Sequence, residues 1–201
     1  RDRSVSRGLG DVYKRQGNYN RYNIAAAVAV GHRFGIPDGE IRRAIASYTP
    51  DNNRSQRTET ERNTLVVDCY NANPSSMRAS VENFLAEPLG RRTARVLILG
   101  DMLELGEWSA EEHAAVVRLA LQGAGASGAA PLPAGTATQL LLVGPEFARA
   151  VAALPRKPAA TELFASREEL LERLRTRPVE NALVLLKGSR GIGLEKALEA
   201  L

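Results

Sequence analysis

The chain has 201 residues, 44% of them hydrophobic and 25% charged, with a formal net charge of +4. This composition describes a globular chain long enough for one ordinary domain and part of another, and no apolar run approaches the ~20 residues of a membrane span. Positions 1–16 hold five basic and two acidic residues, so three of the four net charges sit there, and a basic stripe for nucleic acid across the remainder is not supported.

Residues 1–16 show neither helical nor strand periodicity, and no apolar segment of a signal peptide follows them. They are expected to be non-native or disordered. Residues 17–49 are alanine-rich and helical in pattern. Ile24, Val28, Ala29, Phe34 and Ile36 mark a first helix and its exit, punctuated by Gly35 and Pro37. Asp38 is placed as the cap of a second helix with Ile41, Ala44 and Ile45 on its apolar face. The turn-rich stretch Pro50–Ser55 is the best domain boundary.

Strict strand–helix alternation follows. A strand over 64–68 leads to a helix opening at Asn73-Pro74, with Met77, Val81, Phe84 and Leu85 at helical spacing. A strand over 95–99 leads to a helix from Ser109, for which Ser109 and Glu112 predict a capping box. The low-complexity stretch 123–138 is expected to be a surface insertion. A strand over 139–143 precedes a short helix near 146–153. A weak strand over 161–164 precedes a helix capped by Ser166 and Glu169. A strand over 182–186 precedes a last helix from about 192. Five strands in this rhythm predict an α/β fold with a mainly parallel, doubly wound sheet and right-handed crossovers.

Three strands end in polar tips. Asp68-Cys69-Tyr70-Asn71-Ala72-Asn73-Pro74-Ser75-Ser76-Met77 follows the first, Gly100-Asp101-Met102-Leu103-Glu104-Leu105-Gly106 the second, and Lys187-Gly188-Ser189-Arg190 the last. Open α/β sheets bind ligands at such carboxyl ends. The plain readings of the same residues are structural: a turn aspartate at Asp68, a helix cap at Asn73, a negatively charged loop at Asp101 and Glu104, and a polar turn at Lys187–Arg190. Cys69, the single cysteine, fits a reducing cytoplasm and reads as a small packed residue rather than a nucleophile. One cysteine and two histidines make a zinc site improbable, and no metal ligands are assigned. His113 is expected on an exposed helix face and Trp108 as a local packing anchor.

Together these segments resemble the Mur ligases. Gly17-Asn18-Tyr19-Asn20-Arg21-Tyr22-Asn23-Ile24-Ala25-Ala26-Ala27 is similar to the family's Gly-x-His-Asn-x-x-Asn-x-x-Ala-Ala segment, with Tyr19 in place of its histidine. Asn53-Arg54 is similar to its interdomain Gly-Arg or His-Arg. The three strand-tip segments, in this order, resemble the member that adds D-alanyl-D-alanine. The resemblance covers 17–201. It implies that 17–52 are the last helices of a central ATP-binding domain and 53–201 a Rossmann-like C-terminal domain.

The implied reaction joins D-alanyl-D-alanine to UDP-N-acetylmuramoyl-tripeptide through an acyl phosphate, using ATP and Mg2+, in a cytoplasmic enzyme of peptidoglycan precursor synthesis. It implies a monomer, with no nucleic-acid partner and no membrane insertion. By the same resemblance, Asn20, Asn23, Arg54 and Asp68 would bind nucleotide. Tyr70, Asn71, Asn73, Asp101, Glu104, Lys187, Ser189 and Arg190 would meet the substrates. No certain catalytic residue is assigned. Nothing in the sequence has the Gly-rich, lysine-bearing form of a P-loop, so this stretch of chain is expected to be inactive alone. The alternatives are a stand-alone, non-catalytic nucleotide- or peptide-binding module, and a different Mur-type or folylpolyglutamate-type ligase.

Overall fold

The computed structural model describes residues 20–48, 54–122, 138–155 and 160–201. The expectations for 1–16, for Tyr19 and Asn53, and for most of the 123–138 insertion fall outside these residues. Thr138 itself already belongs to a strand. The chain divides into two compact units, residues 1–50 and 51–201.

In the first unit, α1 spans Asn20–Arg33 and α2 spans Asp38–Ser47. Ile24 and Ile41 are buried. Pro37 holds the N-cap position of α2 and Asp38 is its first helical residue, with its carboxylate 2.9 Å from His32 Nε2. The predicted Asp38 cap is therefore not made. Phe34 and Ile36, which mark the exit from α1, are exposed.

The second unit is an α/β sandwich around a six-stranded sheet. Its elements are β1 (Gln56–Glu59), β2 (Thr64–Asp68), α3 (Pro74–Ala86), β3 (Ala94–Gly100), α4 (Ser109–Gln122), β4 (Thr138–Val143), α5 (Pro145–Ala152), β5 (Thr161–Phe164), α6 (Arg167–Thr176) and β6 (Ala182–Lys187). The spatial order is β1-β2-β6-β3-β4-β5, parallel throughout except for the antiparallel β1–β2 pair. The expected doubly wound, mainly parallel sheet is present.

Burial on both faces explains why the central strands read as unbroken apolar runs. Leu97, Leu99, Leu140, Leu142, Leu183 and Leu185 face α3, α4 and α5, meeting Met77, Phe84, Val117 and Phe147. Val96, Ile98, Leu141, Val143, Val184 and Leu186 face α6 and the C-terminal turns, meeting Leu170, Leu174, Leu194 and Leu201. The chain moves from β2 to β5 with its helices on one face and returns to β6 on the other. Direction and face reverse together, so all the crossovers share one hand, as the right-handed rule requires of parallel sheets.

Three elements differ from expectation. β1 carries Gln56-Arg57-Thr58-Glu59, without an apolar residue, and none of its four residues is buried. An edge strand of this kind leaves no hydrophobic alternation to read. The last segment forms two short 3-10 turns, Arg190–Ile192 and Leu194–Ala200, in place of an α-helix. Ser109 is already helical, and its hydroxyl donates to Glu146 Oε2 at 2.7 Å, so the predicted Ser109–Glu112 box is not formed.

Leu185 lies mid-strand in β6, fully buried, with paired strands on both sides. Leu185→Ala is expected to cost about 2–5 kcal/mol in urea unfolding. Thr58→Ala on the exposed edge should stay within about 0.5 kcal/mol of the parent.

A candidate ligand-binding crest at the strand ends

The carboxyl ends of β2, β6 and β3 lie side by side, because Asp68 pairs in register with Lys187 and Leu99 with Lys187 on the other side. The segment after β6 turns to one face, while those after β2 and β3 turn to the other. Such a reversal opens the crevice where doubly wound sheets bind ligands. The approach is unusually close. A Cβ on Gly188 would stand 3.0 Å from the Gly100 Cα, so the two strand ends come this close because residue 188 lacks a side chain.

Beneath the crest is a buried ion pair. Lys187 Nζ lies 2.8 Å from Asp68 Oδ2, with the lysine side chain 2% exposed and the aspartate 14%. Nζ also donates to the Asn71 carbonyl at 3.0 Å. Asp68 accepts from the Ser80 hydroxyl at 2.7 Å and from the Ser55 amide at 3.3 Å. Three of the roughly four acceptor directions of this carboxylate are thus in use. Asp68 holds the site together whether or not a ligand reaches it.

Ser189 performs the same kind of internal work. Its hydroxyl accepts from Leu103 N–H at 2.9 Å and faces the Ala72 carbonyl at 3.4 Å, while its amide donates to the Asp101 carbonyl at 3.2 Å. It is buried. Lys187 and Ser189, expected to meet a substrate carboxylate, are both buried here and turned onto the loops after β2 and β3.

Asp101, expected to meet the substrates, is buried here. Its two oxygens each accept, at 2.9 Å, from the amides of Glu146 and Phe147, which open α5. A carboxylate there satisfies orphan amides and meets the positive end of the helix. Gly144, at φ +120°, permits this, because a Cβ there would run into the carboxylate. Burial pushes the Asp101 carboxyl above its ordinary value, against the pull of those two amides and of His113. His113, expected to be exposed, is fully buried beside it, with Nε2 3.7 Å from Asp101 Oδ1. Trp108, expected to pack, is 62% exposed.

What reaches solvent is a different set. Tyr70 is 42% exposed. The Arg54 guanidinium carbon stands 3.9 Å from its ring centroid, and that of Arg190 stands 5.9 Å away. Among the described residues no ion pair engages either arginine. Cation–π contact of this exposed kind is worth about 0.5–1 kcal/mol, enough to orient the guanidiniums while leaving their donors available. Asn71 and Asn73 are also exposed. Asn73 closes a true capping box, its side chain accepting from Ser76 N–H while Ser76 Oγ accepts from Asn73 N–H. Glu104 is exposed in a left-handed conformation, φ +66°. In the separate first unit, Asn20 opens α1 and Asn23 is exposed on it.

Cys69 lies in the core, its sulfur 3.5 Å from the Leu186 carbonyl. Among the described residues no group of three or more His, Cys, Asp or Glu is placed to hold a metal ion. No described helix is long and apolar enough to cross a membrane.

Residues 53–190 match the family model described as Mur ligase, glutamate ligase domain. The chain belongs to the Mur ligase family. This Mur ligase chain is 36% identical over 186 residues to the UDP-N-acetylmuramoyl-tripeptide–D-alanyl-D-alanine ligase of Treponema pallidum, covering 90% of the chain and 36% of that enzyme. Among solved structures it is similar to UDP-N-acetylmuramoylalanyl-D-glutamyl-2,6-diaminopimelate–D-alanyl-D-alanyl ligase from Acinetobacter baumannii. There the TM-score is 0.70 and the identity 25%, with coverage of 91% of this chain and 36% of that one. It is also similar to the MurF ligase of Thermotoga maritima in complex with ADP, with a TM-score of 0.62, 25% identity, and coverage of 89% and 36%. The Mur ligase chain thus spans about a third of the length of these relatives.

Two outcomes follow from the buried groups. Lys187→Met leaves the Asp68 carboxylate without its cation and should cost about 3–5 kcal/mol in urea unfolding. Asp68→Leu combined with Lys187→Met should recover part of that loss. Burial pushes the Cys69 thiol up to about 12. At pH 8 roughly one thiol in ten thousand is then ionised, so iodoacetamide labelling should be negligible in the native chain and rapid in urea.

Proposed function

We propose that this chain is the C-terminal part of a cytoplasmic, monomeric, ATP-dependent ligase that joins D-alanyl-D-alanine to UDP-N-acetylmuramoyl-tripeptide in peptidoglycan precursor synthesis. Residues 17–52 would close its central ATP-binding domain, and 53–201 would form its C-terminal domain. The observation that carries this reading is the 36% identity, over 90% of the chain, to the Treponema pallidum enzyme of that name. The convergence of three strand-tip segments on one sheet edge supports it.

In this reading ATP phosphorylates the tripeptide carboxylate. The dipeptide amine then attacks the acyl carbon, the amine loses a proton and inorganic phosphate leaves. Such chemistry depends on positioning and charge neutralisation. Arg54 and Arg190, fanned over Tyr70, offer two guanidiniums to a phosphate or carboxylate, and guanidinium suits both through paired hydrogen bonds. Glu104 is the exposed carboxylate of the crest and would meet the dipeptide ammonium. Asn71 and Asn73 would border the same surface. Asn20 and Asn23 would lie near the adenine, since an amide presents donor and acceptor together. Asp68, Asp101, Lys187 and Ser189 act underneath, by fixing the loops that present these groups. Magnesium, held elsewhere in the enzyme, would supply charge neutralisation at the phosphates.

A chimera tests this directly. Residues 53–201 replace the matching domain of the Treponema pallidum ligase, and phosphate release is measured with ATP, the sugar-tripeptide and D-alanyl-D-alanine. Dipeptide-dependent release is expected, falling about 10–100-fold in Arg54→Ala or Arg190→Ala. Diaminopimelate should not substitute, and the 201-residue chain alone should release none. A folded chimera without release would sink the proposal. Micromolar ATP or dipeptide binding by the chain alone, seen by calorimetry, would favour a stand-alone binding module.

A further inference from the structure

Three elements meet at one buried imidazole that the proposed reaction does not use. His113 Nδ1 lies 2.7 Å from the Ser109 carbonyl oxygen, and Nε2 lies 3.0 Å from the Met102 amide nitrogen. A carbonyl only accepts and a backbone N–H only donates. The ring therefore carries its proton on Nδ1 and accepts at Nε2. The Phe147 ring packs against it edge-on, with centroids 4.7 Å apart at 83°. The position of the imidazole is thus fixed by α4 on one side and α5 on the other.

What it holds is the loop from Asp101 to Gly106. Met102 N–H donates to the imidazole, and the next amide, Leu103 N–H, donates to Ser189 Oγ. Beyond these two anchors the chain emerges: Leu103 is 44% exposed, and Glu104 takes its left-handed turn in solvent. Two consecutive amides, one bound by His113 on α4 and the next by Ser189 in the turn after β6, define where the exposed carboxylate stands.

We propose that His113 is a positioning residue, a neutral imidazole latch that sets the Asp101–Gly106 loop through Met102 N–H and so places Glu104 at the ligand-binding edge. Its bearing on ligation rests on the function proposed above; the latch itself does not. The charged groups around the ring are Asp101 from the loop and Glu146 from α5, the latter joined through Ser109 Oγ, which lies 3.3 Å from Nδ1. On its own helix, Glu112 faces Arg78 of α3 at 3.8 Å instead. A proton added at Nε2 turns the acceptor into a donor facing the Met102 N–H. It also favours the Asp101 carboxylate as the ring's new partner, which releases the loop amide.

Amide hydrogen exchange by NMR on the 201-residue chain at pH 7 reads the latch without any substrate. His113→Gln keeps an acceptor oxygen near the Nε2 position, whereas His113→Asn keeps only a donor near Nδ1. Met102 exchange in the Gln variant should stay within about threefold of the parent, and in the Asn variant it should accelerate at least about tenfold, the worth of one lost hydrogen bond, with β6 amides unchanged. Equal acceleration in both variants, or none in Asn, would overturn the proposal, because a merely space-filling ring predicts no such split. Should His113→Asn not fold, imidazole 15N shifts of the parent decide. A protonated Nδ1 and an unprotonated Nε2 are expected. The opposite tautomer, or a ring protonated at both nitrogens, would refute the latch. If the latch holds and the chimera above is inactive, the ligase reading fails and this one stands.

Discussion

The crest depends on one lysine–aspartate pair. Lys187 closes the central strand β6 and is buried, with Asp68 and the Asn71 carbonyl as the partners of its Nζ. Desolvating two ions is expensive, and an apolar pair of similar volume would hold the sheet at least as well. What the ion pair adds is directionality. It ties the end of β6 to the loop after β2, and through the same carboxylate it reaches the Ser80 hydroxyl on α3 and the Ser55 amide beside Arg54. Arg54, Tyr70 and Arg190 stand on segments that this one pair brings to a common place.

The sheet was legible in the sequence because its signal is redundant. Four of the five parallel strands carry an apolar run, and every one is followed by a helical pattern, so errors at one boundary do not propagate. β1 was not legible: with no apolar residue it is defined by hydrogen bonds to β2 alone. The last helix failed for a related reason, since seven residues containing Leu194, Ala197 and Leu198 satisfy a helical period and a 3-10 turn about equally.

The convergence of the candidate site's segments was legible in the sequence, and the internal partners of its side chains were not. The tips of β2, β3 and β6 were identified as the binding edge, and the structure brings them together. Within those tips, chemistry gave no means of separating groups that point at a ligand from groups that point at one another. A lysine, a serine and an aspartate at strand ends resemble ligands in a sequence. Here Lys187, Ser189 and Asp101 are all buried, the first two bonded to the segments after β2 and β3 and the last to the amides that open α5. His113 went the other way, because its partners are the backbone of Met102 and Ser109, and a side chain bonded to backbone leaves no pairwise signature in residue types.

This division of labour bears on how the surface can work. Exposed guanidiniums in water are screened within about 8 Å at physiological salt, and exposed ion pairs contribute about 0–1 kcal/mol each. In the proposed role, Arg54 and Arg190 would therefore hold an anion only weakly while the crest faces solvent. Their value rises only when a second surface excludes water from the same anion, since lower dielectric strengthens each contact and preorganised donors need no rearrangement. The buried network supplies that preorganisation in advance: Tyr70 orients both cations, Lys187 fixes the loop that carries Tyr70, and Ser189 fixes the turn that carries Arg190. A face built this rigidly underneath and left this open above is suited to close over a ligand held by another part of a longer enzyme, which is the role proposed for it here.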